Sequence, residues 1–197
     1  MCIDEIIIHL TWIFQACNDL GYHLPDFKDS ITIVIKKPGK PDNHPKSYRP
    51  IALLNAIAKL YERLLANRLK DVIIRRKMLP RLQFGAPGRN TTLAIENLTN
   101  YVYSAWQRDE LVSLLGLDLT GAYDHVDRIK LLDDMVRKEF PGWLIKAIWS
   151  FLSDRRTYIH MPGYEGPEYW IDVGLPQGSP LSYSHPLPAI HIQGRTR

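Results

Sequence analysis

Apolar residues recur at three- and four-residue spacing in several stretches of the chain, and each stretch predicts an amphipathic helix. The first, residues 3–20, ends at Gly21, and glycine commonly follows the last turn of a helix. Pro141-Gly142 separates the last two stretches, because this pair interrupts a helix. The predicted helices are 3–20, 56–76, 91–108, 129–138 and 143–152.

Other apolar stretches predict strands. Residues 31–35 form a β-branched run that precedes a Pro-Gly turn, and residues 50–54 are short and apolar. Residues 157–160 and 169–173 alternate and predict a hairpin with a long loop. Residues 111–119 are mostly uninterrupted apolar residues, as expected for a strand buried on both faces of a sheet. Helices and strands together predict an α/β or α+β fold.

Composition narrows the class of protein. The chain has 197 residues, 45% hydrophobic and 23% charged, which is ordinary for one good-sized domain or two small lobes. Its net charge of +4 is compatible with a nucleic-acid partner but does not require one. Cys2 and Cys17 have neither zinc-site nor disulfide-framework spacing. We expect an intracellular protein, nuclear or cytoplasmic, without a signal peptide or membrane partner.

Asp118 is the main candidate for chemistry, because it lies at the end of the predicted strand 111–119 and before a turn of small residues. A buried carboxylate is costly unless it is paired or holds a metal, and its oxygens suit Mg²⁺. The alternative is that Asp118 caps the turn or the following helix. The local pattern favours neither interpretation.

Four blocks of sequence, taken in order, resemble one family. They read IVIKKPGK (33–40), SYRPIALLN (47–55), LDLTGAYD (117–124) and GLPQGSPLS (174–182). Gln83-Phe84-Gly85 and the segment 89–92 fit the same pattern. Over residues 28–182 the chain resembles the reverse transcriptases of non-LTR retrotransposons, here of a fungal-type element.

This resemblance implies the right-hand polymerase fold. Residues 1–110 would be a fingers-like region with an N-terminal helix, and 111–182 a partial palm; the thumb would be absent. Residues 183–197 would lie outside the family pattern. The implied activity is Mg²⁺-dependent DNA synthesis from dNTPs, with an RNA template and a DNA primer as partners.

The resemblance also assigns roles to residues of the palm block. Asp118, helped by the carbonyl of Leu119, would bind the Mg²⁺ ions that clamp the attacking and leaving oxygens. Tyr123 would pack under the sugar and select deoxynucleotides. A core aromatic is the alternative for Tyr123.

Two further blocks would contact the nucleotide. Lys37 and Arg49 would reach the triphosphate from the fingers. The alternative for Lys37 is a solvated loop lysine, which is favoured if Lys36 or Lys40 occupies the site instead. Gln177 lies in a loop framed by Gly and Pro, and it would contact the incoming nucleotide or the template base. Its alternative role is to satisfy the loop backbone.

The helix predicted at 56–76 carries several basic residues. Arg63, Arg68 and Lys70 would bind template phosphates in a polymerase finger, or they would form an ordinary solvated helix face.

The second acidic motif of the family, an aromatic-small-Asp-Asp hairpin, is not found after Ser182. The fifteen following residues contain no acidic side chain, and Asp133-Asp134 lies too early and on a predicted helix. We therefore expect a truncated chain that does not polymerise alone, with a one-base frameshift near Tyr183 and an exposed edge on the 111–119 strand. The alternatives are a non-catalytic nucleic-acid binder and a pseudogene product without function.

Overall fold

The computed structural model describes residues 2–85, 88–118 and 121–183. In these ranges the chain forms six α-helices and a five-stranded sheet. The helices are α1 (Cys2–Leu20), α2 (Ala56–Arg75), α3 (Thr91–Trp106), α4 (Arg128–Arg137), α5 (Gly142–Leu152) and α6 (Pro180–Tyr183). The strands are β1 (Ser30–Lys36), β2 (Tyr48–Leu54), β3 (Arg155–Met161), β4 (Tyr164–Glu165) and β5 (Tyr169–Ile171). The mixed α/β class, the five long helices and the hairpin of β3 and β5 are confirmed.

Polar side chains mark where the helices begin. Asn55 accepts a hydrogen bond from the backbone N–H of Ile57 at the start of α2, and Asn90 does the same for Leu93 in α3. The side chain of Asp127 caps α4 by accepting a hydrogen bond from the backbone N–H of Lys130. Such caps satisfy backbone donors that the first turn of a helix leaves without partners, so they define the helix boundary.

The sheet joins parts of the chain that are far apart in sequence. Its order is β2-β1-β3-β4, with β5 also paired to β3. β1 and β2 are antiparallel, and Thr32 lies opposite Ala52. β1 and β3 are parallel, and Thr32 lies opposite Ile159. The sheet therefore includes strands from both sides of residue 110.

The hydrophobic core is formed mainly by α2, α4 and α5. α1 contributes Phe14 and Cys17, and α6 contributes Leu181. The fully buried apolar side chains include Tyr61, Leu65, Leu69, Leu131, Leu144, Ile148 and Phe151. The apolar stripes of α2, α4 and α5 thus supply most of the core. The predicted stripe of α1 is buried only in part, because Ile6, Ile7 and Ile13 are 41–54% exposed.

The prediction of a strand at 111–119 is wrong for residues 111–118, which are the part of it that the structure describes. Residues 111–118 have no regular secondary structure, and Leu115 and Leu117 are 80% and 86% exposed. A strand requires hydrogen bonds to a neighbour, and both edges of β1 and of β3 are occupied by other strands. We predicted a strand here with one exposed edge; the structure instead has an apolar segment, residues 111–118, that pairs with no strand. Residue 119 lies outside the described residues.

Among the helices described, none is both long enough and apolar enough to cross a membrane.

Candidate functional site

The loop 174–179 is the point at which three of the sequence blocks meet. Ala52 of β2 donates its backbone N–H to the carbonyl of Gln177 over 3.1 Å. Leu175 donates to the carbonyl of Tyr123 over 2.9 Å, and Gly174 donates to Val126 over 3.1 Å. Backbone contacts therefore hold this loop between β2 and the turn at 121–126.

Two glycines allow this close approach. Gly174 and Gly178 have φ angles of 77° and 118°, which favour glycine. A Cβ on Gly174 would lie 2.7 Å from the carbonyl oxygen of Asp124, and one on Gly178 would lie 2.5 Å from that of Ala52. The Gly residues of the block are therefore required by backbone packing.

The side chain of Gln177 contacts the turn directly. Its Nε2 donates a hydrogen bond to Oδ1 of Asp124 over 2.6 Å. The partner of this amide is thus a carboxylate, which makes a charge-assisted hydrogen bond. Sequence reasoning assigned no role to Asp124, although its position as the last residue of the 117–124 block was a usable signal.

A cavity of about 160 Å³ opens beside this contact. Its walls include Thr32, Pro50, Ala52, Asp124, Arg155 and Gln177. This volume is below the roughly 300–1,000 Å³ typical of ligand pockets, so the cavity fits a part of a ligand, such as one ring or one phosphate. A larger cavity, about 520 Å³ and lined by His125, Asp127 and Trp149 among others, contains none of the predicted site residues.

Arg128 holds the N-terminal side of the loop. The residue is only 8% exposed, and its guanidinium donates to the carbonyls of Gly174, Val173, Ile171 and Leu152 over 2.6–3.3 Å. Burial lowers the pKa of Arg128 from its usual range. Four carbonyl partners compensate this desolvated charge, so Arg128 joins α4 to the loop and to the ends of α5 and β5.

Glu62 holds the C-terminal side. The hydroxyl of Ser179 donates to Oε2 of Glu62 over 2.6 Å, and both residues are fully buried. Burial raises the pKa of Glu62 to about 7. His23 Nε2 lies 3.7 Å from the other carboxylate oxygen, and burial, with the positive charges of Arg155 and Lys28, lowers the pKa of His23 to about 3. His23 is therefore neutral at pH 7, and its contact with Glu62 is not an ion pair.

The structure joins the backbone of Tyr123 to that of Leu175, in the same loop as Gln177. Tyr123 is half-buried and packs against the core, in agreement with the core-aromatic interpretation. Asp118 is exposed rather than buried, and Leu119 lies outside the described residues. No three His, Cys, Asp or Glu side chains in the described ranges could together hold a metal ion.

The predicted triphosphate ligands lie on the β1–β2 hairpin but not in the cavity. Lys37 donates its Nζ to the carbonyl of Lys46 over 2.7 Å. Arg49 is exposed and neighbours Pro50, which lines the cavity. Since successive side chains in a strand alternate between faces, Arg49 lies on the opposite face of the sheet.

The predicted phosphate ligands on α2, Arg63, Arg68 and Lys70, are exposed but do not form one stripe. Arg63 and Lys70 are seven residues apart and share a face, whereas Arg68 lies roughly 140° around the helix from Arg63. Arg68 lines a separate groove with Asp19 and Trp143.

Comparison with known proteins agrees with the blocks that meet at this site. Residues 35–185 match the family model described as reverse transcriptase (RNA-dependent DNA polymerase). The chain is 35% identical to the probable RNA-directed DNA polymerase from transposon BS of Drosophila melanogaster, over 90% of this chain and 20% of that protein. It is 31% identical to the X-element protein of the same organism, over 98% of this chain and 22% of that protein. For the polymerase from mobile element jockey, also from this organism, the identity is 34%, over 90% of this chain and 19% of that protein.

The chain thus spans about a fifth of the length of these curated relatives. The family match covers all of β2, the turn at 121–126 and the loop 174–179, which are the elements that form the site. The chain therefore belongs to the reverse transcriptase (RNA-dependent DNA polymerase) family.

Proposed function

We propose that this chain is the part of a retrotransposon RNA-directed DNA polymerase that positions the incoming nucleotide against the template. The observation that carries the proposal is the meeting of β2, the Tyr123–Asp124 turn and the Gln177 loop around one cavity. Three blocks that are far apart in sequence contribute to the walls of this small space. Such convergence is typical of a binding site rather than of a solvated surface.

In this proposal Gln177 contacts the nucleotide or the template base from the cavity wall. Its hydrogen bond to Asp124 orients the amide, and Tyr123 supports the turn from the core side. Lys37 and Arg49, from the fingers-like region 1–110, do not line the cavity, so in this proposal they would supply positive charge to the triphosphate from outside it. The partial palm, 111–182, contributes Asp118.

Mg²⁺ is proposed for the whole polymerase, with Asp118 and the carbonyl of Leu119 as two of its ligands. There the metal would stabilise the attacking and leaving oxygens of nucleotidyl transfer. RNA template and DNA primer are the proposed macromolecular partners. Arg63, Arg68 and Lys70 would bind their phosphates without reading sequence.

We also propose a nuclear or cytoplasmic location, because the templates are there; imaging of the tagged chain tests this. The fungal-type assignment stays a prediction.

Nucleotide binding is tested by photo-crosslinking an azido-dATP probe to the chain, with competition by unlabelled dNTP. We expect specific labelling that Gln177→Ala reduces several-fold. Gln107→Ala, an exposed glutamine after α3, is the matched control and should label like the wild type. Labelling that dNTP does not displace, or that both variants retain equally, would contradict the proposed site.

Nucleic-acid binding is tested with a fluorescent RNA–DNA primer–template and a salt titration. Affinity should fall with salt, and Arg63→Gln should reduce both affinity and salt slope relative to Arg137→Gln on α4. In the same preparation, primer extension should be absent without the rest of the polymerase.

A further inference from the structure

The buried contact between Glu62 and Ser179 lies outside the cavity, yet it reaches the residue that faces the cavity. Glu62 is in the middle of α2, is fully buried and does not line the cavity. Its Oε2 accepts the hydroxyl of Ser179 over 2.6 Å. The same hydroxyl oxygen accepts the backbone N–H of Leu181 over 3.1 Å. Ser179 is therefore held between α2 and the start of α6.

Ser179 is two residues from Gln177, and the backbone between them has little room to adjust. The carbonyl of Gln177 accepts the N–H of Ala52, and Gly178 lies against the carbonyl of Ala52. On the other side, Gly174 and Leu175 are bonded to the turn at 121–126. A displacement of Ser179 must therefore rotate the backbone at Gln177 and move its side chain relative to Asp124.

The surroundings of Glu62 explain why this position can be sensitive. His23, Arg155 and Lys59 are the titratable groups that act on Glu62 or lie beside it. Oε1 of Glu62 has no hydrogen-bond partner among the described residues. Ser179 is thus the hydrogen-bonded partner of this desolvated carboxylate, and a change in one is transmitted to the other.

We propose that Glu62 is a positioning residue that sets the orientation of Gln177 through Ser179. Glu62 touches neither nucleotide nor template; it acts only on the loop that presents Gln177. The nucleotide-facing part of this inference rests on the function proposed above, whereas the coupling of Glu62 to Gln177 does not.

The coupling is tested by NMR of the Gln177 side-chain amide in the ¹⁵N-labelled chain. Ser179→Ala should move the Nε2H₂ resonance, because the loop loses its link to α2. Glu62→Ala should move it to the same position, and the double variant should show no additional shift. Glu62→Gln should keep the wild-type resonance, since an amide oxygen still accepts from Ser179 and the amide nitrogen faces His23.

Ser104→Ala and Glu96→Ala, both exposed on α3, are the matched controls and should leave the resonance unchanged. If Glu62→Ala does not fold, Ser179→Ala alone tests the coupling. This variant removes only one oxygen atom, so it breaks the hydrogen bond to Glu62 with little change in packing. An unchanged Gln177 resonance in folded Ser179→Ala would overturn the inference. So would additive shifts in the double variant.

Photo-crosslinking of azido-dATP separates this inference from the proposed function. We expect Ser179→Ala to reduce labelling several-fold and Glu62→Gln to retain it. If the wild type is not labelled, the proposed function fails, whereas the NMR coupling is still measured. If the wild type is labelled, and Ser179→Ala is labelled equally with an unchanged resonance, the positioning role fails and the proposed function stands.

Discussion

The side-chain amide of Gln177 donates a hydrogen bond of 2.6 Å to the carboxylate of Asp124, 53 residues earlier in the chain. This contact joins the last residue of one sequence block to the fourth residue of another. It is exposed, so its contribution to stability is small, but it fixes the direction of an amide that faces the cavity.

Replacement of Gln177 by a glutamate should separate these two side chains. Two carboxylates would then lie at hydrogen-bond distance, and we expect a loss of about 1 kcal/mol in the free energy of unfolding at pH 8, because the pair is exposed. Adding Asp124→Asn should restore stability, since the asparagine amide can donate to the carboxylate introduced opposite it. Urea denaturation of the single and double variants measures this, and equal stability of Gln177→Glu and wild type would contradict it.

Gly174→Ala should be more destabilising than Gly163→Ala, although both glycines have φ of 77°. At Gly163 a new Cβ meets no atom within 4 Å, so only the backbone strain of about 1 kcal/mol applies. At Gly174 the Cβ would also lie 2.7 Å from a carbonyl oxygen, which adds roughly 1–3 kcal/mol. Thermal unfolding of the two variants measures the difference, and similar melting temperatures would show that the loop does not approach the turn so closely.

Arg128→Lys should destabilise the chain by about 2–4 kcal/mol, because an ammonium cannot reach four carbonyls and leaves some of them without a donor. Lysine retains the positive charge of Arg128, so the loss of stability reports on hydrogen-bond geometry rather than on charge. Arg137→Lys, on the exposed surface of the same helix, is the control and should change stability by less than about 0.5 kcal/mol. Chemical denaturation compares the two variants, and equal effects would argue against the hydrogen bonds from Arg128 to the four carbonyls.

His23 and Glu62 should affect stability in opposite directions as pH changes. The pKa of His23 falls from 6.5 to about 3 on folding, so its stabilising contribution is complete above pH 6.5 and is lost as pH falls towards 3. The pKa of Glu62 rises from 4.5 to about 7, so its contribution is complete below pH 4.5 and is lost as pH rises through 7.

Single substitutions should separate these two contributions. Relative to wild type, His23→Gln should gain stability as pH falls from 6.5, and Glu62→Gln should gain stability as pH rises from 4.5 to 7, each by at most about 1.4 kcal/mol per pH unit. Denaturation between pH 4 and 8 measures both, with Glu96→Gln as an exposed control. Parallel pH profiles for wild type and both variants would contradict the assignment.

Amide hydrogens of residues 112–118 should exchange rapidly with solvent, because this apolar segment is not paired with a strand. Amides of residues 31–34 in β1, which has a neighbour on both edges, should be protected. Hydrogen-exchange mass spectrometry compares the two segments. Equal protection would show that 111–118 is a strand after all.

Local patterns in the sequence were sufficient for the helices. The 3.6-residue periodicity of α2, the Asn55 cap and the Pro141-Gly142 break depend only on nearby residues, so their boundaries were predicted within one or two positions. The order of the four blocks was likewise enough to indicate the family, because motif order is a property of the chain itself.

Contacts between distant residues were decided only by the tertiary structure. An apolar run predicts burial but does not say which strand will pair with it, and the segment 111–118 therefore remains exposed although its composition is that of a core strand. The contacts that form the candidate site were likewise decided by the tertiary structure. Gln177 was predicted from its loop, whereas Asp124, Glu62 and Arg128 became recognisable only as its supports, because their hydrogen-bond partners lie 24 to 117 residues away and no local pattern encodes such a distance.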